Sequence, residues 1–474
     1  MPSKPLAAAL AAALLLAACI GVPPKPAAPV LREAAPLAGV PASAQAHWPD
    51  AAWWRRYRDP QLDALVERAV AGAPALATAQ TRFEAARAAV RVAAAAGGAR
   101  LDASAQASRE RLSDNGLIPP RFLGFNWYTQ GDLGLQFRYD FDWWGKQRAA
   151  IESALDQAHA AEAERSAAAL LLQAAVADTY FGWQADQARL ALARQAVAAQ
   201  ARLQRLAALR VQRGLDPADA QRQADAALAA AREQQAALQG SAELRRVALA
   251  ALLGVAPAEL PALDPRPLPA VDAALPADAG LDLLARRPDV AASRWRVEAA
   301  AKQTEAARAA FYPDISLQAL AGFSSVDMDK LLTGGSRVFA LTPAIHLPLF
   351  DADRLRAQFG ASRAELDAAV AAYDASVVEA ARDVATQAVA LRQIDARRRE
   401  RAAQVEAGTR LRGSAAARER QGLTDARAGL AAETALLQQR DAAVQLDAQA
   451  LAADIALIKA LGGGYRADAD LAHR

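Results

Sequence analysis

The sequence predicts a mainly α-helical protein with a smaller transmembrane β part, built as two copies of one unit. Three observations predict this fold class. The chain repeats itself at a spacing of 208 to 214 residues, each copy contains two stretches of alternating polar and apolar residues, and two long alanine-rich helical stretches follow them. A repeat of this length indicates that one structural unit is used twice.

The repeat runs without gaps over most of each copy. Setting Pro288 on Pro74, a shift of 214 residues, brings Glu298 onto Glu84. From the second alternating stretch onward the shift is 208, and the matched pairs include Leu133 with Leu341, Gly214 with Gly422 and Leu253 with Leu461. The difference of six residues places an insertion in the first copy, between the two alternating stretches, where an exposed loop is expected.

Composition and charge exclude several classes of function. The formal net charge is +3, from 55 basic and 52 acidic residues that are interspersed along the chain, so no nucleic-acid partner is expected. The four histidines are scattered and there is one cysteine, which gives no metal-ligand spacing. The triple glycine at 462–464 follows a helix and does not open one, unlike a phosphate-binding loop. We therefore expect neither an enzyme nor a cofactor.

The N-terminus predicts export and a lipid anchor. Residues 1–18 have a positive Lys4 and an apolar run that is too short to span a bilayer, as in a signal peptide. They end in the sequence LAAC, which resembles the bacterial lipoprotein processing box and implies cleavage before Cys19 and its acylation. Ile20 implies sorting to the outer membrane. Residues 19–60, rich in proline and alanine, form a tether. The alternative is an ordinary signal peptide with an incidental cysteine.

The first copy, residues 61–254, opens with a helix and continues into a β-hairpin over 99–145. Residues 101–107 and 133–142 alternate between apolar and polar, the period of a strand with one apolar face. The second stretch has the roughly eleven residues that a membrane-spanning strand requires. The second copy repeats this parity in a hairpin over 312–352.

Aromatic residues flank the alternating stretches, as in the girdles that mark membrane interfaces. The predicted interface residues are Trp127, Tyr128, Trp143, Trp144, Phe311, Tyr312 and Phe350. Pro343 and Pro348 are unusual for a central strand. The alternative is a pair of hairpins half-buried in a soluble core, which would have to hide the edges of four strands.

Each hairpin is followed by two long helices, predicted over 146–254 and 353–464. Residues 146–213 contain no proline and one glycine, which allows a helix of roughly 100 Å. Alanine dominates these helices, so they can pack closely around a thin core. The remaining boundaries are a proline-rich crossover at 255–280, a second copy at 281–464 and a polar tail at 465–474.

Short turns of specified chemistry join the long helices. In the first copy, Gly214 suits a left-handed helix C-cap, Asp216 can cap the next helix and Pro217 fits its first turn. Gly422 and Thr424 are the counterparts in the second copy.

Apolar side chains follow both turn glycines. Leu215 and Leu423 would stand at exposed hairpin tips, where a soluble monomer gains nothing from them. The alternative is a hydrophobic contact that locks each turn. Four strands also cannot close a barrel in lipid, so the chain must oligomerise: a dimer would supply eight strands and a trimer twelve, with space for a channel.

Several motifs together resemble one family over nearly the whole mature chain. They are LLARRPDV, AAFYPDISL, TPAIHLPLFDADRLRA, DFDWWGKQRAA, the GLD and GLT turns and the closing KALGGGY. The chain resembles the outer-membrane efflux proteins, the TolC-like outer membrane factors. Its lipoprotein box and WWRRYRDPQLDALV resemble the NodT or OprM-like lipoprotein branch.

The resemblance implies a trimeric 12-stranded β-barrel in the outer membrane, continued by a long periplasmic α-helical barrel. The homotrimer would contact outer-membrane lipid, a periplasmic membrane-fusion adaptor and an inner-membrane pump of the RND or major-facilitator type. It would conduct drugs or toxic small molecules passively to the exterior. Two alternatives remain, a structural coiled-coil envelope lipoprotein and the exit duct of a type I protein secretion system.

The family's functional residues map onto the helical turns. The implied adaptor contacts are Gly214, Leu215, Asp216, Gly422, Leu423 and Thr424. The family's closed entrance is held by charged residues near the tips, but Ala431 stands where many members carry an aspartate. The remaining acidic candidates for the constriction are Asp225, Glu433, Asp219 and Asp425. Asp353 also departs from the family, which often has glycine there, as at Gly145 in the first copy.

Overall fold

The computed structural model describes residues 21–35, 37, 47–115, 120–271, 275, 279–348 and 351–466. The predicted signal peptide, the lipidation site Cys19 and the interface residue Phe350 lie outside the described residues. By packing, the chain divides into two compact units. The first comprises 1–30, 84–160 and 294–372, and the second comprises 31–83, 161–293 and 373–474.

The same order of elements occurs twice along the chain. The first series is α1 (Pro60–Gly72), α2 (Pro74–Ala96), β1 (Arg100–Arg111), α3 (Pro120–Leu123), β2 (Trp127–Phe141), α4 (Lys146–Gln212) and α5 (Ala218–Leu253). The second is α6 (Ala279–Arg286), α7 (Pro288–Ala309), β3 (Asp314–Ser325), β4 (Arg337–His346), α8 (Ala352–Arg420) and α9 (Ala426–Ala460). The short helix α3 lies within the inserted loop of the first copy.

The four strands form one antiparallel sheet in the order β1-β2-β3-β4. Its register confirms the predicted parity. Leu101 pairs with Phe137, Phe137 with Ala319, and Ala319 with Leu341, so apolar residues form rows across all four strands. Many of these side chains are exposed, including Leu101, Leu135, Phe339, Leu341 and Ile345. An exposed apolar face of this extent indicates contact with lipid or a partner.

Two strand boundaries differ from the sequence prediction. β2 begins at Trp127, so Trp127 and Tyr128 lie within the strand and not before it. The reason is long-range pairing, because Arg111 at the end of β1 pairs with Trp127. Pro343 lies inside β4, opposite Leu317. It is tolerated because β4 is an edge strand, where a missing N–H need not interrupt a ladder.

The predicted interface aromatics divide into exposed and buried residues. Trp127, Trp143 and Trp144 are exposed. Phe311 is only 2% exposed and packs with Leu355 in a small apolar cluster, so its predicted role as an interface residue is wrong. The backbone N–H groups of Phe311 and Tyr312 still donate to α7 carbonyls, at 3.2 Å each, and this last turn directs the Phe311 ring inward.

The second unit has an aromatic core that contains two short hydrogen bonds to carboxylates. Tyr57 donates to Asp454 Oδ2 at 2.6 Å, and Tyr180 donates to Asp59 Oδ2 at 2.6 Å. Burial raises the pKa of the Asp454 carboxyl, which the nearby Arg56 and the Tyr57 hydroxyl partly offset. Each buried carboxylate thus has a partner, as a protein interior requires.

The lengths of the helices match their composition. α4 has 67 residues and α8 has 69, and neither contains a proline. Within the described residues, no helix combines the length and the apolar content needed to cross a bilayer.

Candidate functional site at the helical hairpin tips

Two helical hairpins end in turns that share one backbone geometry. We call residues 212–218, between α4 and α5, the first tip, and residues 420–426, between α8 and α9, the second tip. Gly214 has φ of 66° and Gly422 has φ of 72°, which confirms the predicted left-handed conformation at both. The next residue in each turn donates its N–H five residues back, Leu215 to Arg210 at 2.8 Å and Leu423 to Arg418 at 2.9 Å. This is the Schellman helix ending that glycine favours.

An apolar side chain projects from each tip. Leu215 is 59% exposed and Leu423 is 68% exposed. The alternative that these leucines lock the turn through a buried contact does not hold at this exposure. Removing such side chains from water on binding is favourable, so each tip offers a small apolar contact for a partner.

At the first tip, an ion pair spans the turn. The Arg210 guanidinium donates through Nε to Asp216 Oδ2 at 2.7 Å and through Nη2 to Asp216 Oδ1 at 2.9 Å. Such two-point pairing restricts both side chains more than a single contact does. It therefore connects the last turn of α4 to the residue just before α5.

The predicted helix caps are wrong by one residue in both copies. The N-cap of α5 is Pro217 and not Asp216, whose two oxygens accept hydrogen bonds from Arg210. The N-cap of α9 is Asp425 and not Thr424, and Asp425 Oδ1 accepts from the Arg427 N–H at 3.1 Å. Pro217 and Asp425 are equivalent in the repeat, so both copies begin the returning helix at the same position.

An arginine from the second tip reaches the first. Arg427 Nη1 lies 3.5 Å from Asp216 Oδ2, and Arg427 Nε donates to Asp425 Oδ2 at 2.8 Å. Asp216 therefore contacts an arginine from each repeat copy. This contact brings the two tips of one chain together, so Leu215 and Leu423 belong to one candidate surface. Sequence reasoning missed Arg427, since its alignment partner Asp219 carries the opposite charge.

The arginines stabilise the ionised form of Asp216. The hydrogen bond from Arg210, together with the charges of Arg210 and Arg427, holds the pKa of the Asp216 carboxyl below its usual value. The same hydrogen bond raises the pKa of Arg210. Both groups are thus charged at neutral pH. The network consists of charges that a partner or a change of ions can perturb.

The four predicted constriction residues have different surroundings. Asp425 belongs to the tip network, whereas Asp219 is exposed and pairs with Arg222 on its own helix at 2.7 Å. Asp225 Oδ1 accepts from Gln204 Nε2 of α4 at 3.0 Å, and Glu433 is half-buried on α9. Among the described residues, no ion pair or hydrogen bond joins Asp225 to Glu433. The structure therefore does not bring this predicted pair together within one chain.

Further from the tips, ion pairs hold the long helices together. Arg189 of α4 donates through Nε to Asp441 of α9 at 2.8 Å, which joins the two repeat copies. Arg398 of α8 donates to Asp447 of α9 at 2.9 Å. The partners Arg189 and Asp441 are 252 residues apart in the chain, and no local pattern identified them.

A family model described as "Outer membrane efflux protein" matches the chain at residues 65–255 and again at 281–463. The chain is also similar to proteins named multidrug resistance outer membrane proteins. One is MdtP of Shigella flexneri, 34% identical over 431 residues, with 90% of this chain and 88% of that relative covered. Another is MdtQ of Escherichia coli O6:H1, 32% identical over 435 residues, with 90% of this chain and 91% of that relative covered.

Solved structures of outer-membrane proteins share the fold. The structure of the outer membrane protein VceC from Vibrio cholerae superposes with a TM-score of 0.80 at 34% identity, covering 88% of this chain and all of that one. The outer-membrane channel OprN superposes with a TM-score of 0.83 at 29% identity, covering 94% of this chain and 99% of that one. The similarity thus extends over both repeat copies and includes the tips.

Proposed function

The chain belongs to the outer membrane efflux protein family, and from that premise we propose that it is the exit duct of a tripartite efflux system. It is an outer-membrane efflux channel and not an enzyme. In the proposed system, three copies close a 12-stranded barrel in the membrane and a helical barrel in the periplasm. A periplasmic adaptor joins this trimer to an inner-membrane pump of the RND or major-facilitator type. Drugs or toxic small molecules then pass through without energy input by the channel.

The pair of exposed leucines at adjoining tips is the observation that carries this proposal. Leu215 and Leu423 follow the two turn glycines, and the Asp216–Arg427 contact keeps the tips together. The surface is small, apolar and bordered by charged groups, as is common where proteins dock. A helical adaptor hairpin with apolar side chains at matching spacing would fit it.

We propose that adaptor docking also opens the channel. The Arg427–Asp216 contact is long, at 3.5 Å, and Arg427 is partly exposed, so it restrains the tips only weakly. A partner that pairs better with Arg427 or with Asp216 would release the contact and let the helices move apart. The channel itself needs no proton transfer or covalent step in this scheme.

Site-specific crosslinking in living cells tests the docking role. A photoreactive residue in place of Leu215 or Leu423 should capture the adaptor. The matched control is Leu244 of α5, an exposed leucine of the same helical hairpin outside the tips. Equal capture from Leu244, or capture of no adaptor from either tip, would refute the docking role.

The constriction role has a separate test. Replacing Asp225→Asn together with Glu433→Gln should raise single-channel conductance in planar bilayers, because loss of charge repulsion and pairing loosens the entrance. Glu379→Gln, which removes an exposed carboxylate of α8, is the control. Unchanged conductance in the double variant would remove Asp225 and Glu433 from the constriction.

We also propose that Cys19 is the acylated first residue of the mature protein. The LAAC sequence supports it, and so does the position of the chain that follows. Val22 packs beside the Phe311 and Leu355 cluster, and the Pro23 carbonyl accepts a hydrogen bond from Arg308 at 2.9 Å. Labelled palmitate should be incorporated into the wild-type protein and lost in Cys19→Ser. Equal labelling of the two proteins would exclude this site.

A further inference from the structure

A polar cavity in the first unit lies beside the end of the sheet. It has a volume of about 320 Å³ and is lined by residues of the tether, of the start of α4 and of the end of α7. Trp144 and Tyr312 form one wall, and three cationic side chains, Lys25, Arg148 and Arg308, line the rest. β2 ends three residues before Trp144, so the cavity begins where the strand leaves the sheet.

The cavity has an excess of positive charge. Its two carboxylates, Glu152 and Glu305, face Lys302, whose Nζ lies 2.7 Å from Glu152 and 3.7 Å from Glu305. Lys25 and Arg148 are exposed and form no ion pair with any residue that the structure describes. Two cationic groups are therefore available to an anion.

Arg308 adds donors to the same wall. Its Nε donates to the Pro23 carbonyl at 2.9 Å, and its Nη2 lies 3.5 Å from the Tyr312 hydroxyl. A guanidinium carries five N–H groups in a fixed plane, so donors remain after these contacts. Such a planar group suits the oxygens of a phosphate.

The aromatic wall is typical of a membrane interface. The Trp144 and Tyr312 rings stack at 4.5 Å with an interplanar angle of 11°, and the indole N–H donates to the Pro313 carbonyl at 2.9 Å. Rings with one apolar and one polar part concentrate at the level of lipid headgroups. The apolar rows of the sheet end beside these rings, which places the cavity at the same level in an outer-membrane protein.

The tether links the cavity to the proposed anchor. Val22 is packed in the first unit, and Cys19 precedes it by three residues, a link of at most about 11 Å when extended. If Cys19 carries acyl chains, they enter the membrane close to Lys25. This step rests on the proposed acylation, whereas the charge and the aromatic wall are independent of it and of adaptor docking.

We propose that this cavity binds the phosphate headgroup of an anionic phospholipid of the periplasmic leaflet. Lys25, Arg148 and Arg308 contact the phosphate, and Trp144 packs against the first carbons of the acyl chains. A free phosphate ion shares the headgroup chemistry, but it would gain nothing from the aromatic wall. The bound lipid would hold the tether and the start of α4 at one depth in the membrane.

Lipid titration with native mass spectrometry tests this proposal. Full-length trimers in mild detergent are titrated with phosphatidylglycerol, and bound lipids are counted. The variant Lys25→Gln with Arg148→Gln should bind phosphatidylglycerol about tenfold more weakly than the wild type, because two cations near the headgroup are lost. A control variant, Arg392→Gln with Arg397→Gln, removes two exposed charges in the other unit and should bind like the wild type.

Three further arms make the outcome decisive. Phosphatidylcholine with the same acyl chains should bind wild-type trimers more weakly than phosphatidylglycerol, and equal binding would overturn the proposal. Inorganic phosphate should not displace the lipid, and displacement would show a site for free phosphate instead. Arg148→Lys keeps the charge and should retain most of the binding, which distinguishes lost contacts from misfolding. Because no arm measures efflux, failure here leaves the proposed duct function untouched.

Discussion

Aspartate and threonine occupy the same position in the two tips, although both turns have the same glycine geometry. Asp216 of the first tip accepts hydrogen bonds from Arg210, at 2.7 and 2.9 Å. Its counterpart Thr424 has a hydroxyl oxygen that is out of contact with solvent and has no hydrogen-bond partner in the described part of the chain. Arg418, the counterpart of Arg210, is exposed.

This difference shows how the two copies have diverged in role while keeping one backbone. The first tip is braced internally by its own ion pair. The second tip is held through Arg427, which reaches across to Asp216. Asp216 is thus the common element, and the chain places the restraint of both tips on one carboxylate. The predictions below test this asymmetry, from the largest expected effect to the smallest.

The largest effect should come from charging both tip leucines. Leu215→Asp with Leu423→Asp should abolish efflux, because a carboxylate at each tip would have to be desolvated on docking. Survival of cells on a toxic substrate of the pump measures the loss. We expect Leu215→Asp alone to lose more than Leu423→Asp alone, since the braced first tip is better preorganised for a partner.

A trimer check belongs with this first experiment. Both variants should still reach the outer membrane as heat-resistant trimers, because the changed side chains are exposed. Leu215→Met with Leu423→Met keeps the apolar surface and serves as the control. Retained efflux in the double aspartate variant would contradict the tip role.

The second prediction breaks the asymmetry directly. Asp216→Asn removes the charge that holds Arg210 and Arg427, so single-channel conductance should rise several-fold. Thr424→Asp supplies a carboxylate for Arg418 and should not raise conductance. Planar bilayer recordings compare the two. Equal conductance in the wild type and Asp216→Asn would show that the Asp216 network does not restrain the channel.

The third prediction concerns pH. Because Arg210 lowers the pKa of Asp216 below the ordinary carboxyl value of about 3.9, the restraint is fully present above that value and is lost as the pH falls through the lowered pKa. The difference in conductance between the wild type and Asp216→Asn should therefore stay constant from about pH 7 to 5, and shrink only below about pH 4. A difference that disappears near neutral pH would assign the restraint to another group.

The smallest effect is expected at Thr424. Thr424→Val replaces an unpaired hydroxyl with a methyl group of similar size, so the protein should become more stable by up to about 1 kcal/mol. The thermal midpoint of the trimer, followed by circular dichroism, measures the gain. Ser in place of Thr424 keeps the hydroxyl and should not stabilise. A loss of stability in Thr424→Val would reveal a hydrogen-bond partner for the hydroxyl in the assembled trimer.

Local features of the fold followed from neighbouring residues. The alternation of residues 101–107 predicted a strand, and β1 contains it. The absence of proline in 146–213 predicted one long helix, and α4 ends one residue earlier. Glycines at the turns predicted left-handed backbone, which Gly214 confirms. These features depend on residues that are close in the chain, so a single sequence contains the necessary information.

Side-chain partners were harder to predict. The sequence assigned Asp216 to a helix cap, but its partner is Arg210, and Arg427 approaches it from 211 residues away. Phe311 was predicted to face the membrane interface and is instead buried against Leu355. In both cases the residue type is compatible with either environment. Packing between distant segments decides which one it occupies.

By itself, the sequence determined the duplication, the helix lengths, the strand parity and the exposed leucines at two glycine turns, because backbone preference and hydrophobic period are local properties. Only the tertiary structure decided that the two tips meet, that one aspartate serves both, and that the cations beside Trp144 surround a cavity. Those features require segments hundreds of residues apart to come within hydrogen-bond distance. Their energies depend on distance and burial, which no linear pattern specifies.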